Sequence, residues 1–290
     1  MDREIVISPI FYMGNKRKLI NKGLIDLFPK NIEIFVDVFG GSGIISMNTK
    51  ASKYILNDLD TNVFNFYSLF KYKNANEIVD KIKDNLNRFD LPRIGTKQNT
   101  PEASKYKEHY VSLRNYANTT KNIVDLYSCM FYAFSQQMRF NNKGEFNMPF
   151  GNGAFTDTNE NYIINGCNFF ANPQVHIYNK DFKNCNFDFL DEKDFVYLDP
   201  PYSNTTATYN ENNAWGLEDD YELFRFCDKL TTQGVKWGMS NVFENKGNVN
   251  QHLIDWVNKN GYNVHFFDGF NYVSCGKGNA KTVEVFISNY

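Results

Sequence analysis

The run Ile34-Phe35-Val36-Asp37-Val38-Phe39, passing straight into Gly40-Gly41-Ser42-Gly43 and then Ile44-Ile45-Ser46-Met47-Asn48, constrains the fold more than any other stretch. A β-branched and aromatic run, clustered glycines and a new apolar stretch predict a strand, a tight turn and a helix. The pattern repeats at once. Tyr54-Ile55-Leu56-Asn57-Asp58 ends in an acid and leads into 61–73, where Val63, Phe64, Tyr67, Leu69 and Phe70 suit a helix packed on a sheet. Two βα units in succession predict an α/β, doubly wound core. From about 76 to 137 the period turns helical, with Ile78, Ile82 and Leu86 four apart and a dense apolar face over 124–138. Next comes 139–151, rich in glycine, asparagine and aromatics, which reads as a loop or hairpin. The α/β rhythm then resumes, with strands expected at 175–178, 195–198, 235–239 and 262–266, and a last one at 282–288 that could form a hairpin with 270–274. The organisation expected is an outer unit of 1–75 and 156–290, with 76–155 inserted into it.

A length of 290 residues suits one large domain carrying an insertion. With 42% hydrophobic residues and a net charge of −2, the chain is neither disordered nor fibrous, and no uncharged apolar run reaches the length of a membrane span. The first residues carry Asp2 and Glu4 and show no cleavage pattern, so no signal peptide is expected and a cytoplasmic location follows. Cys129, Cys167, Cys185, Cys227 and Cys275 are odd in number, widely spaced and never in C-x-x-C form, so they are expected to be reduced thiols holding no metal. The near-neutral total hides an asymmetry: 71–150 carries 13 Lys/Arg against 8 Asp/Glu, whereas 186–230 carries 3 against 11. A mildly acidic chain can thus present a local basic face to a polyanion.

Glycines after a strand let the backbone approach a bound ligand where a Cβ would collide. The spacing here is not G-x-G-x-x-G, and a structural turn fits it as well as a nucleotide or adenosyl site. Asp58, at the end of the next strand, stands where an acid can accept hydrogen bonds from ribose hydroxyls, which fits NAD and S-adenosylmethionine equally. Phe195-Val196-Tyr197-Leu198 then runs into Asp199-Pro200-Pro201-Tyr202. Two prolines fix the backbone there, so Asp199, the Pro200 carbonyl and the Tyr202 ring form a rigid rim. An ordinary tight turn is the plainer reading, but strand ends in α/β sheets are where ligand crevices form. The rim suits a planar amine: two oxygens accepting its N–H bonds leave the nitrogen lone pair aimed outward, and the tyrosine stacks on the ring. A sulfonium methyl presented by the glycine loop is a fitting electrophile.

Ser8-Pro9-Ile10-Phe11-Tyr12-Met13-Gly14-Asn15-Lys16-Arg17-Lys18-Leu19, Phe39-Gly40-Gly41-Ser42-Gly43, Ile55-Leu56-Asn57-Asp58 and Asp199-Pro200-Pro201-Tyr202 follow one another in this order. Over nearly its whole length the chain thereby resembles the DNA amino-methyltransferases, and among them the adenine methylases of the Dam type. The resemblance implies a Rossmann-like, S-adenosylmethionine-dependent methyltransferase sheet with a helical target-recognition insertion and a β-hairpin. In that scheme 1–75 and 156–290 are the catalytic domain and 76–155 the DNA-binding insertion. Tyr12, Gly14, Lys16, the segment Phe39, Gly40, Gly41, Ser42 and Gly43, Asp58 and Asp199 would contact the cofactor, with Asp181 and Phe182 bordering its adenine. Asp199, Pro200, Pro201 and Tyr202 would form the catalytic motif. A solvated basic helix start is the other reading of Lys16, and Tyr12 four residues earlier favours the cofactor role. Asn15 departs from the glycine more usual in the family, yet asparagine tolerates a left-handed backbone.

Trp215-Gly216 and the polar stretch 203–213 resemble the family's loop near the extruded base, and 139–150 its base-reading hairpin. On that reading Arg139 and Lys143 pair with guanine or phosphate, Asn141 bridges adenine edges and Phe140 is the wedge. By composition alone the hairpin is a solvated surface turn. The implied reaction is methylation of adenine N6 in double-stranded DNA, with GATC the family's usual target and no metal needed. A monomer is expected, since base flipping needs one active site. A cognate restriction endonuclease, a phage and an orphan role all remain open. The alternatives are the same chemistry on cytosine N4, RNA or protein glutamine, and a silent DNA-binding descendant, against which the intact Lys16, Asp199, Tyr202 and glycine loop speak.

Overall fold

A computed structural model describes residues 4–12, 14–97, 100–203, 215–267 and 282–290. The strands are β1 (Ile32–Asp37), β2 (Ala51–Asn57), β3 (Val175–Tyr178), β4 (Phe195–Leu198), β5 (Lys236–Asn245), β6 (Asn248–Val249), β7 (Asn263–Phe267) and β8 (Thr282–Ser288). They form one sheet in the order β3-β2-β1-β4-β5-β8-β7, with β6 paired to β5. Neighbours from β3 to β5 run parallel, while β8 lies antiparallel to both β5 and β7. The predicted strand at 282–288 is therefore present, but its partners are β5 and β7; the expected partner 270–274 lies outside the described residues, as do Met13, Cys275 and 204–213.

Both faces of the parallel part are covered, which is why its strands read as nearly unbroken apolar runs. On one face Val36, Ile55, Val196, Leu198, Trp237 and Met239 meet α8 (Leu217–Gln233) and α9 (Gln251–Asn260). The opposite face divides in two. Phe35, Phe195, Tyr197 and Phe286 pack under α1 (Arg17–Asn21) and α2 (Ile44–Asn48), while Leu56 and Val175 join the core of the helical segment.

That segment comprises α3 (Thr61–Tyr72), α4 (Ala75–Arg88), α5 (Pro101–Thr120), α6 (Ile123–Met130) and α7 (Asp157–Phe170). Its core is continuous from Phe66 and Phe70 through Tyr110 and Tyr127 to Phe155 and Ile163. The helical face predicted to reach 138 stops at Met130. Beyond it the backbone turns to pair with the hairpin's return arm, Phe134 N donating to Pro149 O at 2.8 Å and Gly151 N to Tyr132 O at 2.7 Å. Gly151 and Gly153 permit this approach, since a Cβ on either would lie 2.4 or 2.3 Å from the opposing backbone.

The order β3-β2-β1 against β4-β5 puts the reversal of strand order between the parallel neighbours β1 and β4, where open α/β sheets hold their ligands. The glycine loop, Asp58 and Asp199 leave the carboxyl ends of β1, β2 and β4 at that point.

Candidate active site

The glycine loop is held by its neighbours' backbone. Gly40 N donates to Asn57 O and Gly43 N to Gly40 O, at 2.8 and 2.7 Å. Gly41 and Gly43 take positive φ (+51° and +73°), the region that favours glycine. The Tyr12 ring lies against Gly41, 3.1 Å from where a Cβ would stand, and Tyr67 Oη donates to Gly41 O at 2.8 Å. Ser8 Oγ donates to Ser42 O and Tyr127 Oη to Pro9 O (2.7 Å), so the segment carrying Tyr12 and Lys16 is threaded between the loop and α6.

Three carboxyls converge here. Asp58 Oδ2 accepts from Gly41 N at 2.7 Å and Oδ1 from Asp60 N at 2.8 Å; burial pushes its pKa up to about 6 against those hydrogen bonds. Asp199 Oδ2 stands 2.6 Å from Lys16 Nζ, and Oδ1 accepts from Tyr202 Oη at 3.2 Å. Burial raises the Asp199 pKa, and the Lys16 ammonium holds it back. Lys16 Nζ also lies 5.4 Å from the Tyr202 ring centre and 3.2 Å from Gly14 O. One cation thus ties the segment after Tyr12 to Asp199 and Tyr202, and the sequence reading of Lys16 as a mere solvated helix start does not describe its half-buried side chain.

Asp37 is the third carboxyl and was not a candidate by spacing. It is 1% exposed at the end of β1; Ser46 Oγ donates to its Oδ2 at 2.8 Å, and its Oδ1 has no hydrogen-bond partner among the described residues. Burial pushes its pKa up to about 7; the Ser46 bond and Lys16 oppose this, and the charges of Asp199 and Asp58 add to it. An acid closing an apolar strand just before a glycine loop is the signal that marks it. Asn57 also belongs here, its amide joining Val38 O and Lys180 O at 3.0 and 2.9 Å and accepting Lys180 N.

An aromatic wall closes the site beyond the loop. Phe39 packs on Phe182 and Trp215, with ring centres 5.4 and 5.8 Å apart, and Phe182 meets Trp215 at 5.5 Å. Asp181 caps the short turn that follows, accepting from Lys183 N at 3.0 Å. Pro200 is buried and Pro201 partly so, fixing the chain between Asp199 and Tyr202.

The hairpin of 139–147 stands apart from this cluster. Phe140 and Phe146 face each other across it at 5.9 Å, and Phe140 is half-buried against the insertion core. The Asn141 side chain closes the turn, Oδ1 accepting from Lys143 N and Glu145 N and Nδ2 donating to Glu145 Oε2. Arg139 is exposed and rests on Asn147, and Lys143 is exposed at the tip. The protruding aromatic of the region is Phe134, 51% exposed beside Ser135 and Gln136, both at positive φ. Among the described cysteines, Cys129, Cys167 and Cys227 are buried free thiols and Cys185 is partly buried.

The family model for D12 class N6 adenine-specific DNA methyltransferases matches residues 12–273. The chain belongs to this family. Among curated relatives of this D12 chain, modification methylase StsI of Streptococcus sanguinis is 33% identical over 295 residues, spanning 99% of this chain and 43% of its own length. Type II methyltransferase M.FokI of Planomicrobium okeanokoites is 33% identical over 98% of this chain and likewise 43% of its own length. A DNA adenine methylase of Salmonella typhi is 26% identical over 72% of each chain. The D12 chain thus spans less than half the length of its two more similar relatives and most of the third.

Proposed function

We propose that this chain transfers a methyl group from S-adenosyl-L-methionine to the N6 amine of an adenine flipped out of double-stranded DNA. The observation that carries the reading is the Lys16–Asp199–Tyr202 cluster at the switch point of the sheet, beside a loop whose Gly41 and Gly43 take positive φ. The residues present fit the cofactor: a positive-φ glycine loop, a buried acid at the ribose position, an aromatic wall, and an orphaned buried Asp37 Oδ1 that calls for a donor. Gly14, Tyr12, Lys16, the loop 39–43, Asp58 and the Phe39/Phe182/Trp215 wall would hold it, and its sulfonium supplies an activated methyl.

The chain's own part is to prepare the amine. Asp199 has about four acceptor positions, of which Lys16 and Tyr202 occupy two. The remainder, with the Pro200 carbonyl, accept the N6–H bonds and turn the lone pair outward. Burial raises the pKa of that carboxyl, and Lys16 opposes the rise by favouring the ionised form. Tyr202 supplies the stacking face. The segment 76–155 would read DNA, through Arg139 and Lys143 for guanine or phosphate and with the exposed Phe134, rather than Phe140, filling the gap left by the base. All these residues lie in one chain, so we infer a monomer acting in the cytoplasm of a bacterial or phage-infected cell, with a restriction endonuclease of the same specificity as a further partner.

The test is transfer of labelled methyl groups to unmethylated duplexes with and without GATC, followed by nucleoside analysis and site mapping. N6-methyladenine is expected at one short sequence, with Asp199→Ala reducing turnover by at least ~100-fold. Incorporation into another base, or unchanged turnover in Asp199→Ala, overturns the reading.

A further inference from the structure

Trp215 is held in the aromatic wall by a chain of buried polar contacts that reaches across to another helix. Its Nε1 donates to Asp220 Oδ1 at 2.6 Å, and Asp220 Oδ2 meets His252 Nε2 at 2.6 Å. Asp220 sits in the first turn of α8 and is 3% exposed; His252 sits in the first turn of α9, its ring centre 6.1 Å from those of both Tyr221 and Phe224. An acid early in a helix ordinarily complements the helix dipole from solvent. Burial of Asp220 marks a different role, since a carboxylate out of water persists only where donors satisfy both oxygens. The same turn of α9 touches the catalytic rim, Asn250 Nδ2 standing 3.5 Å from Ser203 Oγ, one residue past Tyr202. On the other side, Lys183 pairs with Asp219 at 2.6 Å and so ties Phe182's turn to the start of α8.

We propose that Asp220 and His252 are positioning residues that fix the plane of Trp215 against the bound cofactor, and so set cofactor affinity through a residue they hold rather than one they touch. This rests on the methyltransferase reading above. A single acceptor would satisfy an indole N–H. Sharing the carboxylate with His252 means that turning Trp215 away strands a buried acceptor that the histidine alone cannot satisfy.

Steady-state kinetics and tryptophan fluorescence with S-adenosylmethionine test this on His252→Leu, His252→Gln, Trp215→Phe and the His252→Leu/Trp215→Phe double variant. His252→Leu is expected to raise KM for S-adenosylmethionine on the order of tenfold while kcat at saturating cofactor stays within about twofold. His252→Gln, which keeps an N–H at similar reach, restores most of the affinity. Trp215→Phe raises KM comparably and removes the cofactor-dependent fluorescence change. The double variant is no worse than Trp215→Phe alone, because both act through one ring. A His252→Leu effect that adds in full to Trp215→Phe, or a lowered melting temperature with unchanged KM, overturns the proposal. A wild-type chain that binds no S-adenosylmethionine defeats the methyltransferase reading instead, so the two failures are distinguishable.

Discussion

Lys16 sets the charge of Asp199, and this has a measurable sign. Burial raises the Asp199 pKa and the ammonium 2.6 Å away lowers it. Removing that cation moves the pKa further up. If transfer requires the ionised carboxylate, the acid limb of the kcat/KM profile in Lys16→Gln moves to higher pH, and a limb left in place rules out this role. Asp37 has the opposite consequence, for stability. Its carboxyl rises from 3.8 to about 7 in the fold. Between about pH 4 and 7 the folded chain keeps a proton the unfolded chain has released, so stability falls as pH rises through that window, by about 4 kcal/mol for this group alone. Denaturant melts at stepped pH should show the slope in the wild type and a flatter line in Asp37→Asn, with the residual slope shared by Asp58, raised to about 6, and by Asp199 and Asp194, which burial also raises. Asp199, Asp58 and Lys16 are legible in the sequence because each closes or follows a recognisable run. Asp37 carries a similar signal, an acid closing an apolar strand before the glycine loop, but the burial that gives it its character is not visible in the sequence. Asp220 and His252 are 32 residues apart, and no local pattern joins them.

At the scale of elements, what is legible is what is locally encoded. The strands at 175–178, 195–198 and 282–288 appear with their expected bounds because short apolar runs between turn residues leave few alternatives. The placement of β8 between β5 and β7 depends on pairing with strands read separately, and composition does not carry it. Likewise 131–138 keeps a helical apolar rhythm, yet the hydrogen bonds offered by 149–151 outweigh it. The hairpin residues divide for the same reason: Lys143 and Arg139 are exposed, the latter bonded to Asn147, whereas the Asn141 side chain closes its own turn. The glycine loop gives a sharper test. A Cβ at Gly40 would stand 2.5 Å from Tyr67 Oη and 3.3 Å from Asn57 O. Gly40→Ala should displace the Tyr67 hydroxyl from Gly41 O and raise KM for the cofactor on the order of tenfold, an overpacking cost of roughly 1–3 kcal/mol. Adding Tyr67→Phe removes the clashing atom and should recover part of that loss. No recovery would mean that the Asn57 carbonyl, rather than the hydroxyl, sets the clearance.

For the molecule as a whole, the proposed function makes charge placement the guide to how DNA would approach. The segment 71–150 carries 13 Lys/Arg against 8 Asp/Glu, and 186–230 carries 3 against 11. On the proposed function, a duplex would be drawn to the insertion and repelled from the acidic stretch. Several of those basic groups are already engaged: Lys83 and Arg93 pair with Glu160, Lys105 with Asp90, and Lys81 with Asp125. Only exposed cations such as Arg139 and Lys143 can release counterions at little structural cost. The slope of log binding constant against log salt concentration should thus be modest, about −0.9 per phosphate neutralised. Lys143→Ala is expected to make that slope about one unit shallower and weaken all duplexes alike, while Arg139→Ala changes the preference between cognate and altered sites. Both should leave KM for S-adenosylmethionine near the wild-type value, because the hairpin and the switch-point cluster share no hydrogen bond among the described contacts. Equilibrium binding at four or five salt concentrations on cognate and scrambled duplexes separates these outcomes. A uniform loss from Arg139→Ala, with specificity intact, would reduce that residue to a phosphate contact and move base reading to the exposed turn around Phe134.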